Sequence, residues 1–326
     1  MNISIIIPVY NAAKFIERCV KSLFEQKEHG FNLEIILCND GSSDNSLEIL
    51  KKLETEHQEI KVYDNENQGV YKTRNFALTK VTGDYIWFLD SDDYIFPDAL
   101  QLVQKKLRND YPDILNFGYV RENTNGTSTV VFPPKNENII DGITFLENND
   151  GRLYLWNNIY NAKFIAQNKL SFLAKSVSLE DSLFNLNAFS NASTVKYLDS
   201  SLYCYCYNEN SISKTKSLDH LMKLGQSSIN VHGETQKLKN TYAKSTRAYN
   251  VLNLRLEHSV LGFFYSLLVE KYPQDYIKMV FAKYKKYEIL PLNTKTANFK
   301  IKVLQTMVNR QWPFLFVCSM YKILKK

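Results

Sequence analysis

The chain has 326 residues, of which 44% are apolar and 23% charged, a composition that excludes intrinsic disorder and low-complexity or collagen-like architectures. Its net charge of +6 is unevenly spread, since residues 1–216 hold 22 Lys/Arg against 28 Asp/Glu while residues 217–326 hold 18 against 6. Five cysteines lie mostly within apolar patterns, Met1-Asn2-Ile3-Ser4 lacks the basic start of a signal peptide, and the late apolar stretch Trp312 to Tyr321 is too short to cross a bilayer. These features together predict a cytoplasmic location with reduced thiols.

Ile3 to Val9 is an almost unbroken apolar run, as expected of a strand covered on both faces. Phe15, Ile16, Cys19, Val20, Leu23 and Phe24 recur at helical spacing, Glu34 to Cys38 reads as a second strand, and the turn-rich Asn39 to Asp44 leads into a helix carrying Leu47, Leu50 and Leu53. Ile60 to Tyr63 is a predicted strand, Gly69 to Lys80 a helix, and Tyr85 to Leu89 a strand that ends in Asp90-Ser91-Asp92-Asp93. Such alternation predicts an α/β fold with a mostly parallel central sheet flanked by helices. Ligands of open sheets of this kind sit beyond the carboxyl ends of the strands, where Tyr10-Asn11, Asn39 to Asp44 and Asp90 to Asp93 all fall. Pro97 to Leu107 reads as a helix, Ile114 to Val120 as a strand and Val130 to Phe132 as an outer strand. From Leu218 onward long helical patterns dominate, notably Val251 to Tyr272, Tyr276 to Tyr287 and the basic segment from Phe299 to Lys326. The expected division is residues 1–215, with halves at 1–95 and 96–215, followed by a basic helical region at 216–326.

An acidic cluster at the end of an apolar strand is costly unless a cation sits among the carboxylates. Mn²⁺ or Mg²⁺ beside a diphosphate suits Asp90-Ser91-Asp92, although Asp-x-Asp alone is more often a surface turn or a helix cap. Asp40 can accept the imide N–H of uracil while Tyr10 lies against the base, and Asn67-Gln68-Gly69 followed by Arg74 places a guanidinium one turn beyond a glycine loop. Asp44 also suits a cap for the helix after it, and Glu180-Asp181 suits a helix start as well as proton abstraction from a hydroxyl. Cys204-Tyr205-Cys206 lacks zinc-ligand spacing, and the five His residues form no ligand set.

Ile7-Pro8-Val9-Tyr10-Asn11, Asn39-Asp40-Gly41-Ser42-Ser43-Asp44, Asn67-Gln68-Gly69, Arg74-Asn75 and Phe88-Leu89-Asp90-Ser91-Asp92-Asp93 occur in an order and spacing that resemble the family-2 glycosyltransferases of the GT-A fold, particularly bacterial enzymes building surface polysaccharides. The resemblance implies a GT-A catalytic domain and an inverting hexosyl- or N-acetylhexosaminyltransferase that uses a UDP-sugar donor and Mn²⁺ or Mg²⁺. It implies that Pro8, Tyr10, Asp40, Asn67, Arg74 and Asp90 line the nucleotide and that Asp92 ligates the metal. Trp156-Asn157-Asn158-Ile159-Tyr160 and Leu179-Glu180-Asp181-Ser182-Leu183-Phe184 resemble later motifs, which implies Asp181 as general base and Asp93, Trp156, Asn157 and Glu180 at the sugars. Asn39, Thr73 and Asn158 depart from the usual Asp, Ala and Lys. The implied acceptor is a glycan or a polyprenyl-linked saccharide in capsule, lipopolysaccharide or exopolysaccharide synthesis.

A sugar-1-phosphate nucleotidyltransferase is the rival enzyme, but it requires a Gly-rich basic loop after the first strand, which Tyr10-Asn11-Ala12-Ala13 is not. A non-catalytic nucleotide- or glycan-binding scaffold is the other alternative. Alternation of Lys with apolar runs in the C-terminal region favours an anionic membrane surface, on the inner face of the cytoplasmic membrane, over nucleic acid. The alternatives are a merely solvated basic face, a homodimer interface, or packing for the catalytic core.

Overall fold

The computed structural model describes residues 1–133, 138–149, 151, 153–173, 179–208, 217–270, 272–296 and 298–324. Contacts divide the chain into two compact units, Met1–Ala174 with Asn187–Ser211, and Lys175–Leu186 with Ile212–Lys326. The sequence-based boundary at 215/216 lies outside the described residues.

The first unit opens with β1 (Asn2–Val9), α1 (Ile16–Phe24), β2 (Asn32–Asp40), α2 (Ser46–Glu56), β3 (Ile60–Asn65), α3 (Val70–Leu78) and β4 (Tyr85–Phe88). It continues with β5 (Tyr94–Ile95), α4 (Ala99–Asp110), β6 (Ile114–Glu122), β7 (Ser128–Val131), α5 (Gly142–Asn148), β8 (Asn158–Asn161) and α6 (Ala162–Gln167). The next helix, α7 (Glu180–Asn191), contains the division between the units, and β9 (Val195–Tyr205) follows it.

The nine strands form one sheet in the order β3-β2-β1-β4-β8-β6-β9-β5, with β7 paired to β6. Its first half, β3-β2-β1-β4, is wholly parallel, as the strand–helix alternation predicts. Its second half is mixed: β8 is antiparallel to both β4 and β6, β6 is parallel to β9, and β5 is antiparallel to β9. Ile3, Ile5, Ile7 and Val9 of β1 share a core with Leu37 of β2, Trp87 of β4 and Cys19, Val20 and Leu23 of α1. Alternate residues of a strand face one side, so this is one face of β1; Ile6, on the other face, is equally buried, and a strand covered twice needs the continuous apolar run seen in the sequence.

The end of the sheet away from the polar loops is fastened by Glu34, whose carboxylate accepts from Ser4 Oγ at 2.5 Å, Thr82 N at 2.8 Å, Thr82 Oγ1 at 2.9 Å and Lys61 Nζ at 3.0 Å. These bonds hold the carboxyl below its ordinary value against the opposing effect of burial. They tie β1, β2, β3 and the approach to β4 together, which fixes the strand register on which the opposite end depends.

In the second unit α8 (Leu218–Asn240), α9 (Arg247–Val269), α10 (Gln274–Lys286), α11 (Phe299–Arg310) and α12 (Trp312–Leu324) bury a separate apolar core around Leu256, Val260, Phe264, Ile277, Phe281 and Phe314. Ser217, Thr246 and Asn298 cap α8, α9 and α11 through side-chain oxygens, satisfying N–H groups that a first helical turn leaves orphaned. No helix among the described residues is long and apolar enough to cross a membrane.

Candidate functional site

The parallel register places the ends of β1, β2, β3 and β4 side by side, with Val9 opposite Asn39, Asp40 opposite Asn65, and Ile6 opposite Phe88. The loops that follow these strands are bonded to one another. Asn11 donates its main-chain N–H to Ser42 Oγ at 3.0 Å, and its side-chain oxygen accepts from Ser43 N at 2.8 Å. Tyr10 is 48% exposed beside them, and Pro8 is partly covered within β1.

Asp40 is buried, with Oδ1 accepting from Gln68 N at 2.9 Å and Oδ2 from Gly69 N at 3.0 Å. It therefore anchors the Asn67-Gln68-Gly69 loop at the start of α3, and each carboxylate oxygen keeps a lone pair for a further donor. Asn67 is exposed on that loop. Gly41, at φ +66°, lets the two loops meet, because a Cβ there would come within 2.5 Å of Asn67 N. Asp44 accepts from Ala13 N, Ser46 N and Ser46 Oγ, so it braces the turn, while the N-cap position of α2 itself is Asn45.

Arg74, on α3, is buried and its guanidinium reaches Asp90 Oδ1 at 3.0 Å while lying over the Phe172 ring. Asp90 is about one-third exposed and Asp92 is half-buried, so both carboxylates face the open side of the strand ends. Asn208 Nδ2 donates to Asp92 Oδ2 at 2.9 Å, and Arg18 donates to the Asp92 main-chain oxygen at 2.6 Å. A pair of accessible carboxylates is a donor set that suits a hard divalent cation sharing phosphate oxygens and water.

Asp93 is different. It is 1% exposed, with Oδ2 accepting from Tyr203 Oη at 2.6 Å and Oδ1 from Cys206 N at 2.8 Å. Burial, reinforced by the charges of Asp90 and Asp92, holds its carboxyl well above the usual carboxylate range. Tyr203 Oη also accepts from Asp90 N at 3.2 Å, so one buried phenol supports both ends of the acidic turn. Asp93 is expected from the sequence at a sugar; in the structure both of its oxygens are engaged inside the protein.

Trp156, also expected at a sugar, is 4% exposed and stacked between Tyr154 and Tyr203, with its carbonyl accepting from Trp87 Nε1 at 2.8 Å. It is interior in this structure. Asn157 is half-buried next to it, and Asn158 is buried, with Asn116 donating to its Oδ1 at 2.8 Å. A Lys at position 158 would put a charge into that interior. Asn39 bonds Asp64 and Ser42 through its amide, a pairing that needs a donor and an acceptor on one side chain and that an Asp cannot supply.

Glu180 and Asp181 occupy the first turn of α7, where acidic groups complement the helix dipole; Glu180 is buried, and Asp181 is half-buried with its Oδ1 accepting from Ser182 N. Arg18, Tyr203 and Asn208 escape sequence reasoning. They act on the acidic turn from 74 to 116 residues away, so no local spacing marks them.

The sequence profile of Glycosyl transferase family 2 matches residues 4–166, which hold β1 to β8 and every strand end just described. The glycosyltransferase EpsJ of Bacillus subtilis (strain 168) is 32% identical over 239 residues, covering 70% of this chain and 68% of EpsJ. The glycosyltransferase GlyA of Streptococcus pneumoniae serotype 4 is 29% identical over 223 residues, 65% of this chain and 31% of GlyA, so the chain spans about a third of that relative. The crystal structure of S. aureus TarS 1-349 in complex with UDP-GlcNAc shares the fold with a TM-score of 0.72 at 19% identity, covering 100% of this chain and 92% of that one. With a mixed sheet whose parallel half gathers these motifs, a C-terminal helical unit and relatives of this kind, the chain belongs to glycosyltransferase family 2 and has the GT-A fold.

Proposed function

We propose that this glycosyltransferase is an inverting, metal-dependent enzyme that moves a hexosyl or N-acetylhexosaminyl group from a UDP-sugar to a hydroxyl of a glycan or polyprenyl-linked acceptor in bacterial surface-polysaccharide synthesis. The observation that carries this reading is the convergence of Asp40, the Arg74–Asp90 pair and half-buried Asp92 at four parallel strand ends. TarS, whose structure with UDP-GlcNAc has the same fold, supports the choice of uridine.

In this reading Tyr10 covers the base, Asp40 accepts the imide N–H with its remaining lone pair, and Asn67 and Pro8 line the pocket. Arg74 positions Asp90 at the ribose and diphosphate. Asp92 holds Mn²⁺ or Mg²⁺, which supplies charge neutralisation at the diphosphate when bound. Asp181 takes the proton of the acceptor hydroxyl as its oxygen bonds to C1 and the C1–O bond to the diphosphate breaks, so the sugar inverts and UDP leaves. Asn157 and Glu180 orient the sugars.

Screening UDP-sugars for slow hydrolysis in the presence of Mn²⁺ tests the reading. Asp92→Ala is expected to remove the metal dependence of UDP affinity, and Asp181→Asn to preserve UDP affinity while turnover falls by about 10²–10⁴-fold. Metal-dependent affinity that survives in Asp92→Ala would place the metal elsewhere.

A peripheral location on the inner face of the cytoplasmic membrane is the corresponding reading of the helical unit, motivated by exposed Phe299, Val303, Trp312, Phe316 and Met320 among its lysines. The full chain is expected to co-sediment with anionic but not neutral liposomes at low salt. Failure to do so overturns the membrane reading and leaves a dimer interface or packing for the catalytic core as the use of these helices.

A further inference from the structure

We propose that Glu122, Cys204 and Cys206 form a second cation site, selective for a soft divalent ion of the Zn²⁺ class and chemically separate from the hard-cation site at the acidic turn. Cys-x-Cys spacing alone lacks the pattern of a zinc motif, and the fold supplies what is missing. Cys204 lies near the end of β9 and Cys206 follows one residue beyond it, and the extended chain there brings the two sulfurs together. The parallel pairing of β6 with β9, Val120 opposite Cys204 and Arg121 opposite Tyr205, brings Glu122 at the end of β6 to the same place.

The three ligand atoms lie within 4.8 Å of one another, and Cys204 Sγ is 3.8 Å from Glu122 Oε1. Zinc held at ~2.3 Å from sulfur and ~2.0–2.2 Å from carboxylate oxygen keeps tetrahedral ligands roughly 3.5–3.8 Å apart, so binding requires only a small inward movement of side chains. Cys204 and Cys206 are 1% and 6% exposed, whereas Glu122 is partly open, which gives an ion a way in and leaves room for water as the fourth ligand. Two thiolates and one carboxylate favour Zn²⁺ or Co²⁺ over Mg²⁺ and Mn²⁺, which prefer all-oxygen sites, so the chain can sort the two kinds of ion between its two sites. Both thiols give up their protons to solvent as the ion binds.

The site is coupled to the acidic turn through Asp93 and through the pairing of Tyr94 with Cys204. Cys206 donates its main-chain N–H to Asp93 Oδ1, and Asp93 shares Tyr203 with Asp90. Fixing the end of β9 therefore fixes the support beneath Asp90 and Asp92.

Titrating the reduced, metal-free full chain with Co²⁺ tests this directly, with no dependence on transfer activity. The expected result is one equivalent bound with a thiolate-to-cobalt charge-transfer band, displaced by Zn²⁺ and untouched by excess Mn²⁺. Cys204→Ser and Cys206→Ser should abolish the band, and Glu122→Gln, a surface-side change that spares both buried thiols, should weaken binding about tenfold. Asp92→Ala should leave it intact. Absence of the band in the wild-type chain, or its persistence in Cys204→Ser and Cys206→Ser, overturns the proposal.

Discussion

Buried polar groups near the acidic turn of the sheet unit serve a different purpose from those in the core of the helical unit. In the sheet unit Arg74, Asp93 and Tyr203 are sealed, but each one works toward Asp90 and Asp92, whose carboxylates remain accessible. In the helical unit buried Glu257 and His232 join elements of that unit to one another. Glu257 accepts from Asn253, Asn293 N, Thr294 N and Thr294 Oγ1, joining α9 to the segment after α10. His232 lies between Tyr284 and Ser259, at 2.5 and 2.7 Å, and joins α8 to α10 and α9. Residue type alone does not separate the two uses. What separates them is whether the network ends at an accessible carboxylate or closes on itself.

The comparison is tested most severely by removing one carboxylate from each unit. Glu257→Ala is expected to lower stability by about 3 kcal/mol, because it leaves several buried donors unpaired, whereas Asp92→Ala changes stability by less than about 0.5 kcal/mol. Thermal or urea unfolding of both variants checks this; equal losses would erase the distinction.

A smaller effect concerns pH. Burial pushes the His232 imidazole down to about 3, so between there and its ordinary value the unfolded chain binds a proton that the folded chain does not. Stability contributed by neutral His232 is therefore complete above about 6.5 and is lost as pH falls, by roughly 2 kcal/mol between pH 6.5 and 5. Urea melts at both values should show the loss, and His232→Gln should flatten it.

The smallest effect returns to the sheet unit. Tyr203→Phe is expected to cost about 1 kcal/mol of stability, since it removes the hydroxyl shared by Asp93 and Asp90, and to weaken metal-dependent UDP affinity as well. A stability loss with unchanged affinity would make Tyr203 a sealed group of the helical unit's kind.

The parallel half of the sheet was legible because its causes are local. Apolar runs make the strands, helical spacing fills the crossovers, and the register then gathers Asp40, Arg74 and Asp90 with no further information. Depth was not legible. Asp93 and Trp156 sit within motif stretches, yet the first turns inward from its neighbour Asp92 and the second is enclosed by aromatic rings from β9 and the segment before β8. The mixed half of the sheet was obscured because β8 and β5 run antiparallel to the strands beside them, which no regular strand–helix alternation announces. Tyr203 and Asn208 reach the turn across 110 and 116 residues, so no local spacing marks them.

The bonds from Asp40 to Gln68 and Gly69 reach main-chain N–H groups only. A grip of that kind is indifferent to side-chain identity. Exchanging the side chains at 67 and 68 leaves both bonds in place, while Gly69, at φ +90°, cannot accept a side chain without strain. The loop is consequently a natural place to diversify in a library aimed at a different nucleotide, since its shape would persist while the groups it displays, Asn67 among them, are replaced.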